Sequence, residues 1–489
     1  MTEHISLNKF RAKSNTFIHN FEYPAPRFPE YLLQERTDDI ETLMPIARSL
    51  LNRKYGRSAL GDIREGDHLL IVTYPHQDDT IFEVMKQAIL EKGAERVDRI
   101  NTTDLGMEAI SYSAADGWRE ITDRLPPMIE SGVEFNVAAA ALQRFLDDRP
   151  GYTGIFVGEA GRSHWKRVAG KKVRNNWLFS TYEELISRAN AYPDEIWRMI
   201  DRKLVKSFGL ASEVRITSPE GTDIGWKVTR EQAELWPKGA YISGHILGST
   251  IQGIRFGHSA DTFLEQAKIL MPTLNGVVAG TSNHTGYFPH IKVTIENGMI
   301  KEIEGGGKYG ELWRDVVEKY KNVQYPGFPY KGWAYFNDAS IGTNPKSYRQ
   351  IETLWNYNDS WTNLPERAQA GVIHFGFGAE HWDQTFLNYC KEHKLPTMHF
   401  PHVHNIFATY EIKHHETGEW IKLIDKGRLT MLDDPDVIRL ANTLGDASLL
   451  EYDWIPALPG INYPGDYFED YANDPVSWIR REQKGEFRI

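Results

Sequence analysis

The stretch from Arg64 to Ile100 constrains the fold more than any other part of the chain. Arg64-Glu65-Gly66-Asp67 forms a turn, and His68-Leu69-Leu70-Ile71-Val72-Thr73-Tyr74 is an apolar run of strand length. Thr80 to Lys92 then places Ile81, Val84, Met85, Ala88 and Ile89 on one side of a helix, which ends at Gly93. Glu95-Arg96-Val97-Asp98-Arg99-Ile100 supplies the next strand. A strand, one helix and a second strand imply a parallel pair with a right-handed crossover. No Gly-x-Gly-x-x-Gly follows the first strand, so a dinucleotide site is not expected there. The loop Pro75-His76-Gln77-Asp78-Asp79 lies at that strand's carboxyl end, where open sheets bind ligands. The favoured reading is the polar start of the helix, with Asp79 as its cap.

The same α/β texture continues on both sides. Ile40 to Leu51 is amphipathic, with Ile40, Leu43, Ile46, Ala47 and Leu50 on one face. Gly154-Ile155-Phe156-Val157 is a further strand, and Tyr192 to Phe208 is a long helix carrying Ile196, Met199, Ile200, Leu204 and Val205. After Gly209 the pattern changes. Ser212 to Thr217 alternates, Ser218-Pro219-Glu220-Gly221-Thr222-Asp223 turns, and Ile224 to Val228 returns, which is a hairpin. Ile291 to Ile295 and Met299 to Ile303 flank Glu296-Asn297-Gly298, and Asn-Gly between alternating runs is a strong hairpin signal.

A chain of 489 residues is longer than one hydrophobic core usually fills. The sequence therefore predicts an extended lead-in over 1–38, punctuated by Tyr23-Pro24-Ala25-Pro26-Arg27-Phe28-Pro29, and an α/β domain with a parallel sheet over 39–210. A β-rich α+β metal-binding catalytic domain follows over 211–489. The tail beyond Asp453, rich in Tyr, Pro and Asp, is expected to pack over another surface.

Composition narrows the functional classes. A net charge of −11 without a basic face argues against a nucleic-acid partner. No apolar run approaches the roughly 18 residues of a membrane span, and Met1-Thr2-Glu3-His4-Ile5-Ser6 lacks the regions of a signal peptide. Cys390 is the single cysteine, which excludes an intramolecular disulfide and a thiolate metal cluster. A cytoplasmic location is the expectation.

The densest chemistry lies between Gly371 and His415, which hold eight of the chain's 17 histidines. His402-Val403-His404 places two imidazoles on the same side of an extended segment, because side chains alternate with period two. Both could reach one metal ion, or both could be ordinary strand residues. His258, His284, His290, His393, His414 and His415 have no pattern behind them and read as structural or solvated.

Five blocks, in order, carry a family resemblance. Ser212 to Asp223 resembles the strand and turn leading to Gly-Thr-Asp in the metallo-aminopeptidase (aminopeptidase T) family, which is related to the non-haem iron enzyme 2,5-dihydroxypyridine 5,6-dioxygenase. Ser243-Gly244-His245-Ile246 with Ser249-Thr250-Ile251-Gln252-Gly253 resembles its Gly-Glu-Val block. Asp338-Ala339-Ser340-Ile341-Gly342-Thr343-Asn344-Pro345 resembles Glu-x-x-x-Gly-Thr-Asn-Pro, and Gly371 to Gly378 resembles Gly-Thr-x-His-x-Ala-x-Gly. His402-Val403-His404 stands where that family has His-x-Asp. The resemblance spans roughly 40 to 425 and implies metal ligands at His245, His402 and His404. Asp338 is implied either as a ligand or as an acceptor that orients a histidine.

The departures are chemical. His245 replaces one family glutamate, Asp338 the other, and His404 the aspartate, so carboxylates that could bridge two cations are depleted. The resemblance, so modified, implies a mononuclear Fe(II) site and a dioxygenase that opens a small hydroxylated aromatic or N-heteroaromatic ring with dioxygen. His374 and His381 would act as acid–base residues. Phe375, Phe377, Trp382 and Tyr335 either wall an aromatic pocket or pack in the core, while Thr343 and Asn344 hold their loop in shape. A zinc-type aminopeptidase or amidohydrolase is the alternative, and a non-catalytic metal-binding relative is a third. A homo-oligomer, dimer or larger, is also implied by the resemblance.

Overall fold

A computed structural model describes residues 21–33, 35–55, 62–73, 78–105, 141–157, 172–175, 182–239, 245–248, 268–283, 286–348, 366, 368–379, 384–393, 395 and 402–483. Among these, the apolar run of the first α/β unit becomes strand β1 (His68–Thr73), buried throughout beyond its first residue. Helix α1 (Ile40–Asn52) precedes it and buries Leu43, Met44, Ile46, Ala47, Leu50 and Leu51. Helix α2 (Asp79–Glu91) follows, buries Ile81, Val84, Met85, Ala88 and Ile89, and leads to β2 (Arg96–Asn101). The cap of α2 is Asp78, whose carboxylate accepts from Thr80 N; Asp79, expected as the cap, is instead the first helical residue. Strands β3 (Gly154–Val157) and β4 (Lys172–Asn175) complete a parallel sheet of order β2-β1-β3-β4.

The second half is β-rich, as the turn chemistry predicts. Strands β5 (Ala211–Thr217) and β6 (Asp223–Lys227) form the first hairpin. Four more elements have the following spans: β7 (His245–Gly248), β8 (Asn275–Asn283), β9 (Gly286–Glu296) and β10 (Met299–Gly305). The β9–β10 turn has positive φ at both Asn297 (52°) and Gly298 (73°), the conformation that a tight hairpin twisted like its strands requires. Later come β11 (Phe336–Gly342), β12 (Ile373–Phe377), β13 (His402–Asn405), β14 (Thr409–His414), β15 (Trp420–Asp425) and β16 (Arg428–Leu429). They sort into an antiparallel sheet of order β10-β9-β8-β6-β5-β14-β15-β16 and a smaller antiparallel sheet of order β13-β12-β11-β7.

The two antiparallel sheets share one core. Val214, Ile224, Val278, Val293 and Tyr410 of the large sheet join Phe336, Ala339, Ile341, Phe375, Phe377 and Val403 of the small one. Helix α3 (Asp194–Phe208) adds Ile196, Ile200, Leu204 and Phe208 to the same cluster. The sheets come close at Gly280 of β8, where a Cβ would sit 2.7 Å from Val403 Cγ1 and 2.9 Å from His404 O. Asn405 Nδ2 closes this contact by donating to Ala279 O at 2.7 Å.

The tail covers a second surface, as its composition suggests. Trp454, Leu458, Ile461, Tyr467, Tyr471, Trp478 and Ile479 pack with Tyr287, Val372, Ile406 and Phe407. Lys346 Nζ is bonded to Asp453 at 2.9 Å and to the carbonyls of Ser448 and Glu451, each at 2.8 Å. Thr343 donates to Asp201 and accepts from Trp197 Nε1 at 2.8 Å, both on α3. The Gly-Thr-Asn-Pro-Lys loop is therefore fastened on both sides, and Thr343 serves the loop-holding role expected of it.

Two outcomes follow from this packing. Gly280→Ala forces a methyl group into backbone and side chain of β13, and urea denaturation should show a loss of about 1–3 kcal/mol. His290 lies against Tyr467 and Phe468, with Nε2 donating to Glu220 O at 2.7 Å. Burial pushes its pKa down, opposed by the Glu220 carbonyl and aided by Lys292. The unfolded chain then takes up a proton near pH 6.5 that the folded chain refuses, so this contribution is intact above that pH and is lost as pH falls below it. His290→Gln should flatten the decline in unfolding free energy, read from urea denaturation, between about pH 7 and pH 5, by up to about 1.4 kcal/mol per pH unit.

Candidate functional site

Strand register decides which side chains of the small sheet meet. Ser340 lies opposite His374, which in turn lies opposite His404; Asp338 and His402 are both opposite Gly376. Directly opposed residues of antiparallel strands project to one face. Asp338, Ser340, His374, His402 and His404 therefore share a face, while Ala339, Phe375 and Val403 take the other, toward the large sheet. All five polar side chains are buried, none more than 3% exposed.

On that face the groups form a chain. His404 Nδ1 lies 2.8 Å from Glu366 Oε1, and Ser282 Oγ donates to the same oxygen at 3.0 Å. A carboxylate only accepts, so His404 carries its proton on Nδ1 and its Nε2 is an acceptor. His374 Nδ1 donates to that Nε2 at 3.1 Å, and His374 Nε2 faces Asp338 Oδ1 at 3.9 Å. The His402 ring lies over His374 with centroids 4.4 Å apart and planes at 33°. Behind it, helix α4 (Gly307–Tyr320) supplies Tyr309, whose hydroxyl accepts from His402 N at 2.9 Å and donates to His402 O at 3.1 Å. Asn283 Nδ2 also donates to Tyr309, at 2.7 Å. Burial pushes the Tyr309 phenol well above its usual range, so it remains a neutral clamp on the β13 backbone.

Of the residues singled out in the sequence, His374, His402, His404 and Asp338 come together. His245 starts edge strand β7, opposite Gly342 and two strands (about 10 Å) from β12; its imidazole is outside the described residues, as are His381 and Trp382 entirely. Phe375 and Phe377 lie in the core between the sheets, Phe377 against Trp313 (5.2 Å) and Phe336 (5.6 Å). Tyr335 is buried against Phe328, and its hydroxyl bonds the main chain of Tyr330. Glu366, Ser282 and Tyr309 were not anticipated. Glu366 sits eight positions before His374 in a polar stretch whose spacing carries no ligand signature.

The donor set suits a borderline divalent ion, with neutral imidazoles and carboxylates in a buried face. Two nitrogens about 2.1 Å from one ion and at right angles about it lie about 3 Å apart, close to the separation of His374 Nδ1 and His404 Nε2. In the present arrangement that pair is joined by a hydrogen bond instead. Among the described residues, no group of three His, Cys, Asp or Glu side chains is placed to hold a metal ion as it stands. A surface groove of about 570 Å³ between Ile40 of α1 and Asp79, Glu83, Lys86 and Leu90 of α2 contains none of these groups. Among the described residues, no helix is long and apolar enough to cross a membrane.

No protein-family model and no curated protein sequence matches this chain. Among solved structures, a 2,5-dihydroxypyridine dioxygenase from Pseudomonas putida KT2440 is similar with a TM-score of 0.40 and 13% identity, covering 80% of this chain and 97% of that one. Wild-type AmpT from Thermus thermophilus gives a TM-score of 0.41 and 12% identity, covering 80% and 99%. At these scores the likeness assigns no role to any residue of this chain.

Removing the Glu366 carboxylate leaves His404 Nδ1 and Ser282 Oγ without the acceptor they share. Glu366→Ala should cost about 1–3 kcal/mol in equilibrium unfolding, and Glu366→Gln, which keeps an acceptor oxygen, distinctly less.

Proposed function

We propose that this chain is a metal-dependent enzyme whose site is the histidine face of the small sheet. The favoured reaction is ring opening of a hydroxylated aromatic or N-heteroaromatic compound by dioxygen. The observation that carries the reading is the convergence of His374, His402 and His404 with Asp338 and Glu366 in a buried face. The ordered sequence blocks supply four of these residues independently, His374, His402, His404 and Asp338. Two histidines with one carboxylate, leaving open positions, form the donor pattern of mononuclear Fe(II) oxygenases. His402 and His404, with Asp338, are the groups that would hold the ion. When bound, Fe(II) supplies the redox chemistry that lets dioxygen react with a ring, both oxygen atoms entering the product without an external reductant.

The chain's own residues supply the rest. Glu366 fixes the proton of His404 on Nδ1 and so directs Nε2 into the site. His374, between His404 Nε2 and Asp338, is placed to take a proton from a substrate hydroxyl and return it. Tyr309 holds the β13 backbone so that His402 and His404 keep their spacing. Burial of the whole face excludes bulk water from the reacting groups. Dioxygen and a small aromatic compound are the proposed partners, within a homo-oligomer.

A hydrolase of the zinc aminopeptidase or amidohydrolase type is the second reading. Glu366 favours it, as a second buried carboxylate that the sequence blocks did not include. Its Oε1 is engaged by both His404 and Ser282, which suits an orienting role better than a bridge between two ions.

Metal analysis of protein purified without added ions separates the readings: about one iron per chain supports the oxygenase, zinc the hydrolase. Oxygen uptake with dihydroxypyridines and catechols then tests the chemistry. His402→Ala should abolish metal retention. Unchanged metal content in that variant would mean the ion, if any, is held elsewhere.

A further inference from the structure

Ser340 stands at the centre of the polar face. Asp338 precedes it by two residues on the same strand face, and His374 lies directly opposite on β12. The residue is 0% exposed, yet its hydroxyl has no hydrogen-bond partner among the described residues. A serine hydroxyl offers one donor and two acceptor lone pairs, and native folds rarely leave such a group buried and unbonded.

The neighbouring hydroxyls make the contrast. Ser282 gives its proton to Glu366, and Thr343, three residues along the same segment, is bonded to both Asp201 and Trp197. Nothing in the backbone calls for serine at the middle of a buried strand, where alanine would pack without an unpaired polar atom. An unpaired hydroxyl opposite an imidazole and two residues from a carboxylate on the same strand face is a recognition group whose partner comes from outside the chain.

We infer that Ser340 is a substrate-contacting residue, its Oγ hydrogen-bonded to an oxygen of a small hydroxylated or carbonyl-bearing ligand seated over His374, His402 and Asp338. The choice of ligand class rests on the proposed metal-dependent reading; the unpaired state of the hydroxyl does not.

The test compares Ser340→Ala and Ser340→Thr with the wild-type full chain, loaded with iron(II) under nitrogen and titrated with catechol by calorimetry. Ser340→Ala is expected to retain iron and to melt no lower than wild type, because no bond of the fold is lost. It is expected to bind catechol about tenfold more weakly, the loss of one neutral hydrogen bond to the ligand. Ser340→Thr keeps the hydroxyl and should recover most of that affinity. A clearly lower melting temperature in Ser340→Ala would show that the hydroxyl is bonded within the fold, and overturns the inference. Wild-type catechol affinity in Ser340→Ala overturns it too, as does an iron-loaded wild type that binds no catechol. A wild type that retains no metal overturns the metal-dependent reading instead, and the melting temperatures still decide whether the hydroxyl belongs to the fold.

Discussion

The contact between β13 and β8 at Gly280 is the constraint on which the site depends. With hydrogen in place of a side chain at 280, the backbone of β13 comes close enough for Val403 to fill the space between the sheets. The amide of Asn405 locks this approach through Ala279 O. Strand alternation then leaves no freedom: once Val403 faces the large sheet, His402 and His404 face away from it. A slip of one residue would drive two imidazoles into an apolar core and expel a valine from it.

The polar face created in this way is expensive to keep dry. Burying an imidazole or a carboxylate without partners costs several kcal/mol, so the fold must supply bonds for each. For His404 the partner is Glu366, ahead of β12, which Ser282 at the end of β8 also bonds, while Tyr309 on α4 holds the backbone of His402. The same sheet is thus a core layer on one side and a chemical surface on the other, with period two as the only separator.

Much of the architecture was legible from local pattern. The crossover of β1, α2 and β2, and the hairpins at 217–223 and 296–299, rest on signals confined to a few residues. Part of the site was legible too, since His374, His402, His404 and Asp338 fall in ordered blocks. Glu366 was not, because an orienting carboxylate needs only to be near its histidine in space and is free of any fixed spacing from it. The roles of Phe375 and Phe377 turned on the phase of one strand: they follow His374 closely in sequence, yet by alternation they lie behind the sheet that carries it. Asp78 displaced Asp79 as the α2 cap by a single position, the usual scale of error when two carboxylates adjoin.

The loop from Thr343 to Lys346 ties these parts together in time as well as in space. One end is fastened to α3, about 140 residues earlier, and the other to Asp453, more than 100 residues later. Contacts so far apart in sequence form late, after the entropy of closing large loops has been overcome. During synthesis from the amino end, β11 and its following loop meet an α3 already made but exist long before the segment with Asp453 that anchors the other end. The loop behind the histidine face therefore cannot be fully fastened until Asp453 has been translated, and a ribosome-bound chain ending just before Asp453 would carry His374, His402, His404 and Asp338 without this anchor.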